Sequence, residues 1–536
     1  MSIAASRAGQ VATTLVAAGL LLAGALLAAS WAQASELAYR GCTTNDRELG
    51  PSGSGACTKI PRSAGSVKAV ALSPNGRSLY SAGYVDGSTY AIAEFDRDPN
   101  TGALKYRRCI TDHSGSGGCD VIPGARRADP LAPFYGLRAI TVSPDGDSVY
   151  AVGYYSIARF ERNPATGVLA YRGCITGYAT RGGLHSCTKI PTATDGGAGS
   201  GLAFLSDIAV SPDGNSVYVT APMIYEGDGD ATVAQFDRDP GSGALTWQGC
   251  VSGNVDLGPS GSGACTMVPK ANPYALDTGL SPESLTLSPD GESLYTGSSR
   301  DCDDYGCWGS WGLARFDRDP ATGTLTFRGC ITGNEYSGPS GSGACAAIPD
   351  TRLDKEGPGL IGNALATSSD GKSLYAGHGA VVARLHRNLI TGAIRYRGCI
   401  TGSRLLGPSG SGDCRVTPGA TKRGRYSDLS GVQALVPNPN GKWLYAGGAS
   451  KAIRLGRDPD TGALSLRECL TGDKRSGPSG SGACRLIRGA TENGHGSALG
   501  NQDVALALSE DRKSLYMASG QPYRIARFGF VTAHRR

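Results

Sequence analysis

A Ser-Pro-Asp-Gly turn and its close variants recur seven times along the chain, and that repetition constrains the fold more than any other feature. The copies are Ser73-Pro74-Asn75-Gly76, Ser143-Pro144-Asp145-Gly146, Ser211-Pro212-Asp213-Gly214, Ser288-Pro289-Asp290-Gly291, Ser368-Ser369-Asp370-Gly371, Asn438-Pro439-Asn440-Gly441 and the degenerate Ser509-Glu510-Asp511-Arg512. They lie 70, 68, 77, 80, 70 and 71 residues apart. Self-similarity at a fixed period means one supersecondary unit used repeatedly, and such units bury their apolar faces only by stacking on one another.

Each unit reads as four short strands. An apolar run such as Leu205 to Val210 enters the turn, where Pro and Gly suit a tight reversal. A second strand follows with a recurring tyrosine: Tyr80, Tyr150, Tyr218, Tyr295, Tyr375, Tyr445 and Tyr516. A third strand, as in Ala314-Arg315-Phe316, runs into the turn Asp317 to Gly323, and the fourth is Thr324 to Cys330. A four-stranded antiparallel sheet of this kind must pack on neighbours, so the predicted fold is all-β: a seven-bladed β-propeller. The last unit, 503–530, stops after its third strand, and residues 36–42 (Glu36 to Cys42) match the fourth strand Leu169 to Cys174. The N-terminal strand is therefore expected to complete the last blade and close the ring, removing an exposed edge.

Residues 1–34 read as an export signal: Arg7 precedes an apolar run from Val11 to Ala29, and Ala32-Gln33-Ala34 offers a small-x-small cleavage site. Residues 35–536 then form a single propeller domain with no membrane span, secreted or held in the cell envelope or periplasm, and expected to be monomeric. Sixteen cysteines fit an oxidising compartment. Fourteen follow the repeat as Cys42/Cys57, Cys109/Cys119, Cys174/Cys187, Cys250/Cys265, Cys330/Cys345, Cys399/Cys414 and Cys469/Cys484, each pair running from the end of a fourth strand into a Gly-rich return. Cys302/Cys307 would pinch a small loop in blade 4. The returns lack the Lys and helix of a phosphate loop and the C-x-x-C of a metal site, so disulfides are the expected use. The 52 basic and 46 acidic residues are dispersed, which leaves no electrostatic footprint for nucleic acid.

No G-x-S-x-G, H-E-x-x-H or dinucleotide fingerprint occurs, and only six histidines are present. Two places remain for chemistry. The position five before each turn opens the innermost strand and gives Lys68, Arg138, Ser206, Glu283, Asn363, Gln433 and Val504, with Asp207 and Asp503 one place away. Behind this polar ring runs an apolar column of Val70, Ile140, Ile208, Leu285, Leu365, Leu435 and Leu506. Lys68 and Arg138 suit a small anion, with Glu283 or Asp207 as a base; a merely hydrated channel is the plainer alternative. The second place is the longer second-to-third-strand loops of blades 3 and 4. Glu226, Asp228 and Asp230 alternate as Ca²⁺ ligands would, or as a solvated acidic turn does. Tyr305, Trp308 and Trp311 offer an aromatic rim for a glycan or protein. Arg40, Arg172, Arg328, Arg397 and Arg467, with Gln248 in the same register, read as a structural ladder on outer strands.

Units of the form Ser-Pro-Asp-Gly-x-x-x-Tyr followed by Asp-Pro-x-Thr-Gly-x-Leu resemble the lactonase-type seven-bladed propellers, which include 6-phosphogluconolactonase, carboxymuconate cyclase and the related YVTN repeat proteins; Tyr218-Val219-Thr220 echoes the last. The resemblance spans the chain from residue 35 onward but rests on turn signatures, which specify fold more than activity. It implies lactone chemistry at the channel mouth using Arg, Glu and His. Arg138 and Glu283 match plausible rim positions, no His stands in that column, and His495 is the nearest by sequence. The disulfides and export signal depart from the mainly cytosolic enzymes. Two functions are thus expected: an exported scaffold binding an extracellular protein or glycan, and a secreted hydrolase or cyclase acting on a small lactone.

Overall fold

The computed structural model describes residues 35–532, apart from 47, 48, 50–56, 62–64, 87–88, 115–117, 127–131, 180–186, 224–228, 276–277, 304–305, 335–344, 353–361, 409–412, 479, 481, 501 and 521–522. For several more, including 299–303 and 306–311, it describes backbone alone. The expected leader, 1–34, lies outside the described residues. Among those residues no helix is long and apolar enough to cross a membrane.

The described residues form seven sheets, and the expected four-stranded blade is corrected to five strands. Blade 3 shows the pattern: Asp207–Val210, Ser216–Ala221, Thr232–Arg238 and Leu245–Asn254 pair antiparallel in sequence order, and Cys265–Asn272 adds parallel to the fourth. The first strands touch one another around the molecule, from blade 1 (Ala69–Leu72) through blade 7 (Ala505–Leu508) and back to blade 1. The structure is therefore a closed seven-bladed β-propeller. Its closure follows the expectation with one addition: Ser35–Thr44 pairs antiparallel with Arg524–Thr532 of the last blade, and Cys57–Lys59 then supplies the fifth strand.

All seven repeat-borne disulfides form, and they staple this fifth strand. The expected pairing, from the end of a fourth strand to a Gly-rich return, takes two forms. Cys57, Cys187 and Cys265 open the fifth strand and sit directly opposite Cys42, Cys174 and Cys250 across the parallel pair. Cys119, Cys345, Cys414 and Cys484 instead stand one residue ahead of it, because those strands begin at Asp120, Ala346, Arg415 and Arg485. Their partners Cys109, Cys330, Cys399 and Cys469 lie on the fourth strands, each immediately before the residue that makes the first parallel pair: Ile110 with Asp120, Ile331 with Ala346, Ile400 with Arg415 and Leu470 with Arg485. The crosslink thus fixes the start of the ladder in every blade. A Gly-rich loop must return the chain to the head of a parallel strand, and a crosslink removes much of that loop's entropy cost. Cys302 and Cys307 are register partners in the long blade 4 hairpin of Ser293–Asp303 and Gly306–Arg318; their side chains lie outside the described residues.

Blades are locked together on the face that carries the Ser-Pro-Asp-Gly turns. The arginine ending each third strand reaches into the preceding blade. Arg318 Nε donates to the Tyr218 hydroxyl at 2.8 Å, and its Nη2 lies 2.8 Å from Asp213 and 3.0 Å from Ser216 Oγ. Tyr218 in turn donates to the Gly323 carbonyl of the blade that sent the arginine, at 2.5 Å. The same clamp is built by Arg97 on Tyr516 and Asp511, Arg162 on Tyr80 and Asn75, Arg238 on Tyr150 and Asp145, Arg387 on Tyr295 and Asp290, and Arg457 on Tyr375 and Asp370. The seventh seam differs because Phe530 replaces the arginine and packs on Tyr445, ring centroids 5.6 Å apart. There the N-terminal strand adds polar ties: Leu37 N–H donates to Glu468 at 2.9 Å and Arg485 to the Leu37 carbonyl at 2.7 Å. Two members of the outer arginine ladder pair with carboxylates, Arg172 with Glu161 at 2.8 Å and Arg328 with Asp317 at 2.6 Å.

Burial alone would raise the clamp carboxyls, but the serine hydroxyl, a backbone N–H and the guanidinium outweigh it and hold Asp145, Asp213, Asp290, Asp370 and Asp511 below the usual carboxylate range. Groups with lowered native pKa stabilise the fold above their unfolded pKa, and that contribution is lost as pH falls through the native value. Unfolding monitored by circular dichroism should therefore set in below about pH 4; a melting temperature flat from about pH 6 to about pH 2.5 would contradict this. Arg318→Ala, which strands a buried tyrosine hydroxyl and an aspartate, should cost about 3 kcal/mol in urea denaturation, and a loss under ~0.5 kcal/mol would show the clamp to be ornamental.

Candidate functional site

The opposite face carries the starts of the first strands, the second-to-third-strand turns and the links between blades. At the channel mouth the expected ring is largely spent on joining blades. Lys68 Nζ lies 2.6 Å from Asp503, tying blade 1 to blade 7. Gln433 accepts the Val504 N–H at 3.0 Å, and Asp207 accepts the N–H groups of Leu285 and Ile208 at 3.0 and 2.9 Å. Burial pushes Asp207 up to about 6 against those two hydrogen bonds. Glu283 is half-buried beside this tie, and Asn363 keeps a buried Oδ1 with no hydrogen-bond partner among the described residues. Arg138 leans away from the ring: it lies over the Tyr154 ring at 5.0 Å and donates to the hydroxyl at 3.3 Å. His495 is exposed on the link into blade 7, where its carbonyl accepts from Arg524. The mouth thus brings Lys68 to Asp503 and Asp207 to the Glu283 strand.

Of the three carboxylates expected as Ca²⁺ ligands the structure describes Asp230. Asp230 turns inward and accepts the N–H groups of Gly199, Gly201 and Ala203 at 2.7, 2.8 and 2.9 Å, while burial lifts it to about 6. Both its oxygens serve the link into blade 3. Glu226 and Asp228 lie outside the described residues, as do Tyr305 and the side chains of Trp308 and Trp311. Among the described residues no group of three His, Cys, Asp or Glu could hold a metal.

Beside the mouth, over blades 1 to 3, runs an arc of half-buried rings. Tyr84, Tyr90, Tyr135 and Tyr154 touch in succession at centroid distances of 6.4, 5.7 and 5.6 Å, and Phe204 and Tyr155 carry the arc on to Tyr178. Phe204 holds a left-handed φ of 58°, an uncommon conformation for a bulky residue.

A concavity lies across the mouth, between blades 5 and 6. It encloses about 440 Å³ and is walled by the 5-to-6 link, the Ala449–Lys451 turn and the end of the fourth strand of blade 6. Three arginines face it: Arg423 and Arg425 are exposed, and Arg475 stacks on Tyr426 at 4.5 Å while pairing with Asp473 at 2.9 Å. At its floor Lys451 is 1% exposed, with Nζ 2.7 Å from Ser430 Oγ and 3.0 Å from the Ala449 carbonyl. Burial draws Lys451 down to about 8, aided by the Arg475 charge and opposed by Asp473 and Asp428. Ser450, also 1% exposed, lines the pocket with a hydroxyl that has no partner among the described residues. Ser450 and Tyr426 both adopt left-handed φ, 54° and 61°, strain of the kind found where a site is held in shape.

Neither the turns nor the channel mouth point to this pocket, yet the repeat carries a signal for it. The residue two before the partner of each fourth-strand cysteine reads Ala91, Ser156, Thr232, Gly312, Val381, Lys451 and Arg524. A lysine at a position otherwise mostly small or apolar, walled in by strands on both sides, is the kind of departure a repeat makes visible.

Fold and site together define a disulfide-stapled propeller with a basic pocket on its channel face. No family model matches the chain, and no curated protein matches it. It is similar to solved structures of a candidate 6-phosphogluconolactonase from Bacteroides uniformis ATCC 8492 (17% identity, 75% of this chain and 85% of that one, TM-score 0.45) and of the periplasmic gluconolactonase PpgL from Pseudomonas aeruginosa (14% identity, 81% and 95%, TM-score 0.45). A structure from Lactobacillus plantarum is similar at 15% identity over 81% of this chain and 96% of that one, with a TM-score of 0.48.

Proposed function

We propose that this propeller is a hydrolase of the lactone class that takes a small substrate bearing a carboxylate into the pocket between blades 5 and 6. The observation that carries the reading is the pocket itself: about 440 Å³ with three guanidinium groups and one buried amine against a single lining carboxylate, Asp473. That volume suits a compact ring compound rather than a polymer. Guanidinium forks match a carboxylate geometrically. The turn signatures shared with lactonase-type propellers support the same class, and the seven disulfides support action outside the cytoplasm.

The full oxidised chain should hydrolyse carboxylated γ- and δ-lactones, followed by pH-stat release of acid. Arg425→Ala should raise KM for these substrates roughly ten- to a hundredfold with kcat little changed, while leaving neutral lactones unaffected. No turnover of any carboxylated lactone by folded protein would contradict the reading.

The aromatic arc favours a second reading, capture of a glycan across blades 1 to 3, since half-exposed tyrosines pair an apolar face with a polar edge. Here Tyr154→Ala combined with Tyr135→Ala should release the protein from an immobilised cell-envelope polysaccharide; retention undiminished by both changes would exclude the arc.

A further inference from the structure

In the floor of this pocket the Lys451 amine meets the Ser430 hydroxyl, and neither group is required by the repeat at its place. Ser430 sits three residues after a serine that caps its own link by donating to a glycine carbonyl, a motif shared by Ser200, Ser427 and Ser497. The corresponding places in blades 3 and 7 are Ala203 and Gly500, so the link forms without a hydroxyl there. Blade 4 has Ser281 at this place, but that hydroxyl is occupied in accepting the Met223 N–H at 2.9 Å. Ser430 is the one that faces an amine.

We propose that Ser430 and Lys451 act as nucleophile and base, opening the bound lactone through an acyl-enzyme. The inference rests on the hydrolase reading above and assigns its chemistry. As an ammonium, Lys451 donates to Ser430 Oγ, whose own proton is directed to the Ser427 carbonyl at 3.2 Å. As a neutral amine it accepts that proton instead. Ser430 Oγ then attacks the lactone carbonyl carbon, the ring C–O bond breaks, and the departing alkoxide takes the proton from Lys451. A water next gives its proton to Lys451 and adds to the acyl carbon; Ser430 leaves and recovers the proton. Atoms and charge balance with water as the only co-reactant. Ser450, buried at the wall with its hydroxyl unpartnered among the described residues, supplies a donor to the carbonyl oxygen as it becomes negative. The groups that set the charge of Lys451 are Asp428, Asp473 and Arg475, with Arg423, Arg425 and the Tyr426 ring on the facing link. Asp428 is wholly buried and accepts from Gly419 N–H at 2.7 Å and from the Thr417 hydroxyl, so it steadies the link rather than entering the pocket.

The test uses the full oxidised chain and a β-lactone bearing a carboxylate, read by intact mass and peptide mapping. One adduct is expected, on Ser430, forming faster as pH rises through about 8, where Lys451 loses its proton. Ser430→Ala should abolish the adduct and lower kcat for carboxylated lactones at least ~10³-fold. Lys451→Met should slow acylation ~10²-fold or more and remove the pH limb. Alanine already stands at the Ser430 position in blade 3, so Ser430→Ala should keep the parental melting temperature. Turnover surviving in Ser430→Ala, or an adduct elsewhere, overturns the pair while leaving the hydrolase reading intact. Failure of the folded protein to bind the non-hydrolysable lactam of the same substrate, or to turn over any carboxylated lactone, overturns both, and turnover without an adduct on Ser430 overturns the pair alone.

Discussion

The arginine clamp between blades is the interaction on which the rest of the molecule depends. A propeller blade gains little from its neighbours in sequence and everything from the blade packed beside it, so each seam must be specified. Here one buried guanidinium does so by satisfying a tyrosine hydroxyl, a turn carbonyl and an aspartate or asparagine from two blades at once. Buried charge is costly unless all its donors are met, and the geometry is therefore unforgiving of a shifted register. Six seams carry the clamp, and the closing seam substitutes an aromatic contact and ties from the N-terminal strand.

Concentrating the clamps on one face has a consequence for the other. With register fixed by the Ser-Pro-Asp-Gly turns, the second-to-third-strand turns and the links can vary without endangering the ring. That face holds the aromatic arc, the left-handed residues Phe204, Tyr426 and Ser450, and the basic pocket. The disulfides act in the same sense, since each anchors the fifth strand from which the following link departs.

Much of the fold is legible because a repeat announces itself. The period sets the blade number, the offset termini set the closure, and the cysteine spacing sets the staples. The fifth strand is hidden because the residues after each second cysteine, such as Thr266 to Asn272, alternate poorly and follow a Gly-rich loop, whereas their pairing is parallel and set by the crosslink. The same concealment covers the difference between Cys265, which opens its strand, and Cys345 or Cys414, which stand just ahead of theirs. The site is less legible. Polar residues along the innermost strand include Lys68, Asp207, Gln433 and Asp503, but polar groups near a channel also serve to join blades, and side-chain chemistry alone does not separate the uses. Arg138, expected at the channel rim, lies over Tyr154, an aromatic neighbour sixteen positions away that no spacing in the turns announces. Lys451 stands at neither a Ser-Pro-Asp-Gly turn nor the mouth, but at a third-strand start where the repeat is broken.

The central claim is that ligand binds between blades 5 and 6. A crystal structure with the hydrolysis-resistant lactam of a carboxylated substrate tests it most directly. The carboxylate is expected among Arg423, Arg425 and Arg475, with the ring carbonyl beside Ser430 and Lys451. A lactam seated instead at the channel mouth, against Glu283 and Lys68, would contradict it.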